Sequence, residues 1–177
     1  IGKFIRDART KPWFKDTLFV IVADHCASVA GKTKLPVNNY HIPLIFYAPA
    51  LLKPAHYTPV VSQIDIAPTL IEVLGMNGDD HFFGRSFFEK GPVPERAFIS
   101  NYQELGYLKN GILTVLLPKQ HVESYRVDPK TYASTPTAID LQLLNEAIAY
   151  YQTASTAFKT GALHAPGYGK PGRQIFP

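Results

Sequence analysis

The stretch LFVIVA, residues 18 to 23, constrains this chain more than any other. Its apolar, β-branched and aromatic residues offer no polar face. Such a run suits a central strand covered on both sides, as in a parallel sheet. It then stops on Asp24 and His25 and opens into a polar, small-residue loop. A strand needs no such ending for stability. In open α/β sheets, functional residues collect in loops at the carboxyl ends of strands. A carboxylate oxygen and an imidazole nitrogen can both bind Mn²⁺ or Zn²⁺, and such an ion can polarise a phosphoryl or sulfuryl oxygen. The competing reading makes Asp24 a turn cap and His25 a satisfied polar residue.

The neighbouring segments extend the α/β pattern. GKFIRDARTKP, residues 2 to 12, places Phe4, Ile5 and Ala8 at helical spacing before Pro12. PLIFYA, residues 43 to 48, is a second short apolar strand, expected beside the first. In SQIDIAPTLIEVLG, residues 62 to 75, Asp65 can cap a helix and Pro68 suits its first turn. Leu70, Val73 and Leu74 form the apolar face, and Gly75 ends it. That helix is expected to pack on the two-strand layer.

From about Pro92 the pattern changes to short alternating runs: RAFISN, LGYLKNG, ILTVLL and HVESYRV. Asn110-Gly111 predicts a tight hairpin turn, because both positions tolerate positive φ. Thr137 is expected to cap a long helix with Leu141, Leu144, Ile148, Tyr151 and Phe158 along one face. Three regions result: an α/β core over 1–91, an antiparallel subdomain with its helix over 92–163, and a loose Gly- and Pro-rich tail over 164–177.

Composition removes several classes. The 177 residues, 46% hydrophobic and 18% charged, can bury a real core. No run of eighteen apolar residues spans a membrane. The net charge of +4 comes from scattered Lys and Arg with no basic stripe, so nucleic acid is not an expected partner. Cys26 is the only cysteine, which excludes an internal disulfide and a cysteine zinc cluster. A start at Ile1 without Met or signal peptide fits a piece of a longer chain.

Four stretches in order resemble the alkaline phosphatase superfamily, which includes sulfatases, lipoteichoic acid synthases and phosphoethanolamine transferases. DTLFVIVADHC is similar to its apolar strand ending in Asp-His-Gly. YHIPLIFYAP is similar to its (Arg/His)-(Val/Ile)-Pro strand. VSQIDIAPTLIEVLG is similar to its Asp-x-x-Pro-Thr helix, and FGRSFF to the Gly-x-Ser turn that follows. The small sheet and last helix suit the superfamily's C-terminal subdomain, and ADHCASVAGKTKLP is closest to membrane-anchored enzymes of the lipoteichoic acid synthase type. The resemblance implies an alkaline-phosphatase-like sheet sandwiched by helices, with a small antiparallel sheet and long helix at the C-terminus.

The resemblance also implies chemistry. Asp24 and His25 match ligands of a divalent ion, Mn²⁺ first, with Ca²⁺, Zn²⁺ or Mg²⁺ as alternatives. The substrate would be a sulfate or phosphate ester, lipid- or glycan-linked, on the periplasmic or outer face of a bacterial inner membrane. A Thr or Ser nucleophile, or a modified residue, and an upstream Glu complete such sites. Neither is matched in these residues, so turnover is expected of the parent enzyme and not of this piece alone. A phosphoethanolamine transferase or phosphodiesterase of the same superfamily is the alternative, and a non-catalytic scaffold is the competing class.

The departures are specific. Cys26 stands where the family has Gly; positive φ there would strain a Cβ, and a thiolate there could ligate metal. His41 stands where many sulfatases carry Arg and is a candidate for the substrate's anionic group. Lys32, with Lys34, could meet the same anion as a point charge. Asp65 and Thr69 are read as structural.

Overall fold

The computed structural model describes residues 1–26, 35–76, 82–89 and 95–163. The two apolar runs form strands β1 (Phe19–Val22) and β2 (Leu44–Tyr47), paired as expected, Phe19 opposite Tyr47 and Val22 opposite Leu44. The pairing is antiparallel, and these two strands form their own two-stranded sheet. The expectation of a central strand in a parallel sheet is therefore corrected. Parallel neighbours need a crossover, usually a helix, and no α-helix is found among the described residues between β1 and β2.

Each face of the pair finds partial cover. On one, Phe19 meets Phe4 of helix α1 (Gly2–Ala8) at 6.0 Å between ring centroids and Phe14 at 5.6 Å. On the other, Phe46 stacks on Phe87 at 6.1 Å. Val22 and Ile45 remain exposed. The expected packing of the 62–75 helix on this layer thus runs through Phe87. Helix α2 (Ile66–Val73) holds that segment through Thr69, whose hydroxyl accepts from the Phe87 amide at 3.0 Å.

Asp65 occupies the N-cap position of α2, as expected, but its side chain makes no capping bond to that helix. It is committed instead to the 3₁₀ turn over Gln63–Asp65 that precedes α2, where Ser62 is the cap and Asp65 closes a reciprocal capping box. Asp65 also reaches beyond its helix. Its carboxylate accepts from the amides of Ser62 and Arg85, both at 2.9 Å, and from both terminal nitrogens of Arg96 at 3.0 Å. The pair is buried, with Asp65 2% and Arg96 1% exposed. Phe98 and Tyr150 place their rings against the guanidinium. Burial alone would lower the Arg96 pKa, but the hydrogen bonds to Asp65 and Tyr150 outweigh it and raise the pKa. The structural reading of Asp65 and Thr69 agrees with these contacts.

Arg96 opens the second sheet, an antiparallel meander of β3 (Arg96–Ser100), β4 (Leu105–Lys109), β5 (Ile112–Leu116), β6 (Val122–Val127) and β7 (Ser134–Pro136). Asn110 at φ 53° and Gly111 at φ 71° make the β4–β5 turn, as their sequence predicts. Strand alternation divides the core between two faces. Leu108, Leu113, Val115 and Val127 bury one face with Leu35 and Val37; Tyr107 buries the other with Leu143 and Ala147.

Leu143 and Ala147 belong to α3 (Leu141–Thr160). Asp140, not Thr137, caps it, accepting from the amides of Gln142 at 2.9 Å and Leu143 at 3.1 Å. The buried stripe is shifted: Leu141 and Phe158 are exposed, Leu143, Ala147 and Tyr150 face the sheet, and of the expected face Tyr151 reaches it too, donating to the Gly106 carbonyl at 3.0 Å. The physical reason is competition between stripes. Leu141, Leu144 and Ile148 satisfy the helical period, but small Ala147 allows the close approach to Tyr107 and Phe98. Glu146 then meets Tyr107 at 2.8 Å and Lys109 at 2.6 Å, holding the helix in that rotation.

Candidate metal and anion site

β1 ends at Val22, and the chain turns away at Ala23. Gln63, one residue beyond the Ser62 cap, donates its side-chain amide to the Ala23 carbonyl at 3.3 Å. The buried Asp65–Arg96 node thus holds the turn from which Asp24 and His25 project. Both side chains are solvent-exposed, at 87% and 64%.

The Asp24 carboxylate is used at both oxygens. One accepts from the His25 amide at 2.9 Å, and the other lies 3.4 Å from His25 Nε2. His25 Nδ1 lies 2.8 Å from the Cys26 carbonyl. A carbonyl only accepts, so Nδ1 carries the proton, and in the neutral ring Nε2 presents its lone pair towards Asp24. In that tautomer Nε2 keeps a lone pair that a divalent ion could accept beside the second carboxylate oxygen. Nitrogen and oxygen ligands of one ion lie about 3.0–3.4 Å apart at ordinary bond lengths and angles. The donor pair therefore fits one edge of a coordination shell. Among the described residues no group of three or more His, Cys, Asp and Glu converges for a metal, so the pair is the whole of the visible donor set.

Cys26 is outside the left-handed region, so the family's Gly is not required here by backbone conformation. Its thiol donates to the His41 carbonyl at 3.2 Å. The contact joins the β1 loop to the approach of β2. The His41 side chain is turned to another neighbour: its ring meets Tyr132 edge-on at 5.2 Å. Thus Asp24, His25 and the His41 backbone are brought together through Cys26, while the His41 imidazole lines the surface leading to the second sheet. Lys32 and Lys34 lie outside the described residues.

Arg96 was not singled out by sequence, although an Arg at the head of the apolar run RAFIS is itself a signal of a buried charge seeking a carboxylate. Glu104, Glu123, Tyr125 and Tyr132 were likewise unremarked. Their grouping follows from the register of β4 to β6, where Leu113 lies opposite Tyr125 and Val115 opposite Glu123.

A two-stranded layer, a buried Asp–Arg node and an exposed Asp-His pair lie beside a five-stranded antiparallel sheet, in an architecture that matches a solved alkaline phosphatase superfamily protein. The fold is similar to the crystal structure of a protein in that superfamily from Vibrio parahaemolyticus, with a TM-score of 0.86 and 27% sequence identity, over 93% of this chain and 40% of that one. Residues 1–76 match the family model described as Sulfatase. The present chain spans 40% of the length of the structure it resembles.

Proposed function

We propose that this chain is the C-terminal part of the catalytic domain of a metal-dependent enzyme that transfers or hydrolyses sulfate or phosphate esters. Its finer placement is with lipoteichoic acid synthase-type phosphoglycerol transferases, acting at the periplasmic or outer face of a bacterial membrane. The observation that carries the reading is the Asp24–His25 pair, with Nδ1 held by the Cys26 carbonyl and Nε2 turned to the carboxylate at 3.4 Å. A bound divalent ion, Mn²⁺ foremost, supplies Lewis acidity towards the tetrahedral group and its attacking oxygen. Asp24 and His25 hold two positions of that ion. The nucleophile and the remaining ligands are assigned to residues beyond those described. No helix among the described residues is long and apolar enough to cross a membrane.

The test uses the full-length protein, with metal content by mass spectrometry beside turnover of aryl phosphate and aryl sulfate esters. His25→Ala and Asp24→Ala should each lower metal affinity at least about tenfold, in line with losses of ligand-shell groups. Turnover should fall with the metal, and far-UV circular dichroism should stay unchanged because both side chains are exposed. Variants that keep a full equivalent of metal and normal turnover would remove the metal assignment and favour the scaffold.

A further inference from the structure

The Asp24 and His25 side chains are exposed, so packing does not fix them. The sheet does not fix them either: the last rung of the β1–β2 ladder pairs Val22 with Leu44, and the Asp-His turn lies beyond it. Two contacts bracket that turn. Before it, the Ala23 carbonyl accepts from the Gln63 side-chain amide at 3.3 Å. After it, the Cys26 thiol donates to the His41 carbonyl.

We propose that Gln63 is a positioning residue for the metal-binding pair, setting the direction in which Asp24 and His25 leave β1; the inference rests on the function proposed above. Gln63 touches neither ligand. The carbonyl it holds shares one rigid peptide plane with the Asp24 nitrogen, so fixing that oxygen fixes where the Asp24 backbone sets out. His25 follows, because its amide donates to the Asp24 carboxylate at 2.9 Å. The two donor atoms keep their mutual contact within the turn whether or not Gln63 is present. What Gln63 decides is the orientation of the pair as a unit towards the remaining ligands of the ion.

The base from which Gln63 reaches is rigid. Its backbone follows directly on Ser62, which is 6% exposed. The Ser62 hydroxyl accepts from the Phe98 amide of β3 at 3.3 Å, and the Ser62 amide donates to Asp65, the partner of Arg96. Gln63 therefore projects from the junction of the second sheet with α2 and ties it to a turn 40 positions earlier in the chain. The chemistry of the side chain suits the task. A neutral amide donates to a carbonyl without adding charge beside a cation site, whereas a carboxylate cannot donate and a lysine would repel the ion. The bond itself is exposed, so its loss costs the fold little. Ligand placement is less forgiving, since small displacements of the donor atoms spoil a coordination shell.

The test is Mn²⁺ titration of the full-length protein, read by calorimetry and by the electron paramagnetic resonance spectrum of the bound ion. Gln63→Met keeps the length of the side chain without its donor, and Gln63→Asn keeps the donor one methylene short of the carbonyl. Both should bind Mn²⁺ about tenfold more weakly, as variants of groups that orient metal ligands do. The spectrum of the bound ion should change, and the metal-free melting temperature should stay within about 2 °C of wild type. His25→Ala, measured alongside, reports on the metal assignment itself. If His25→Ala loses Mn²⁺ while either Gln63 variant binds it with wild-type affinity and spectrum, the positioning role is overturned and the proposed function stands. A lowered metal-free melting temperature with unchanged Mn²⁺ affinity would make Gln63 a structural residue only and overturn the proposal equally. If His25→Ala keeps its Mn²⁺, the metal assignment and this inference fall together.

Discussion

Replacing Asp65 with Asn tests the node on which both sheets depend. The substitution keeps size and shape but removes the charge opposite Arg96. Guanidinium does not shed its proton in proteins, so Arg96 would stay charged. It is 1% exposed, out of reach of bulk solvent. The new amide would also point a donor towards groups that themselves donate: the amides of Ser62 and Arg85 and two nitrogens of Arg96. Breaking one side of a buried pair costs about 3–5 kcal/mol, and loss of the capping box is worth about 1 kcal/mol, partly the same energy. A loss of about 4 kcal/mol is a large share of an ordinary domain's stability. Urea denaturation followed by far-UV circular dichroism measures it, with Arg96→Met and the double variant completing a cycle. The double variant should be less destabilised than the sum of the singles by about 2 kcal/mol, because it leaves no unpaired charge. An Asp65→Asn loss below about 1 kcal/mol, or strict additivity, would refute the assignment of this pair as the structural node.

Gly84→Ala should destabilise strongly, because a Cβ there would lie 2.0 Å from the Ile64 carbonyl oxygen, which is backbone and cannot rotate away. A melting temperature within a degree of wild type would contradict that close approach. Glu146 is held below the ordinary glutamate range, first by Lys109 and then against the opposing effect of burial, with Tyr107 and Gln142 assisting. Its folded value lies under its unfolded one, so its contribution is full above about pH 4.5 and is lost as pH falls through the folded value. Glu146→Gln should therefore flatten the acid side of the stability–pH curve. An unchanged acid limb would show that the pair with Lys109 does not couple to folding.

Short-range features of the sequence determined much of this protein. The two apolar strands, the Asn110-Gly111 turn, the helical run after Ser62 and the strands from Arg96 to Val127 follow from local periodicity and turn chemistry. The ordered motifs pointed to the superfamily, and the Asp24–His25 pair stood out because a polar couple closes an apolar run. Tertiary structure decided the rest. It turned the β1–β2 pair antiparallel, moved the α3 cap from Thr137 to Asp140, and selected Leu143 and Ala147 for the core over Leu141 and Phe158. It also joined Asp65 to Arg96 across 31 positions and gathered Glu104, Glu123 and two tyrosines around one cavity. The reason is physical. Propensity and period act over a few residues, whereas charge pairing, close packing and a cavity's lining are properties of surfaces that meet only once the chain has folded.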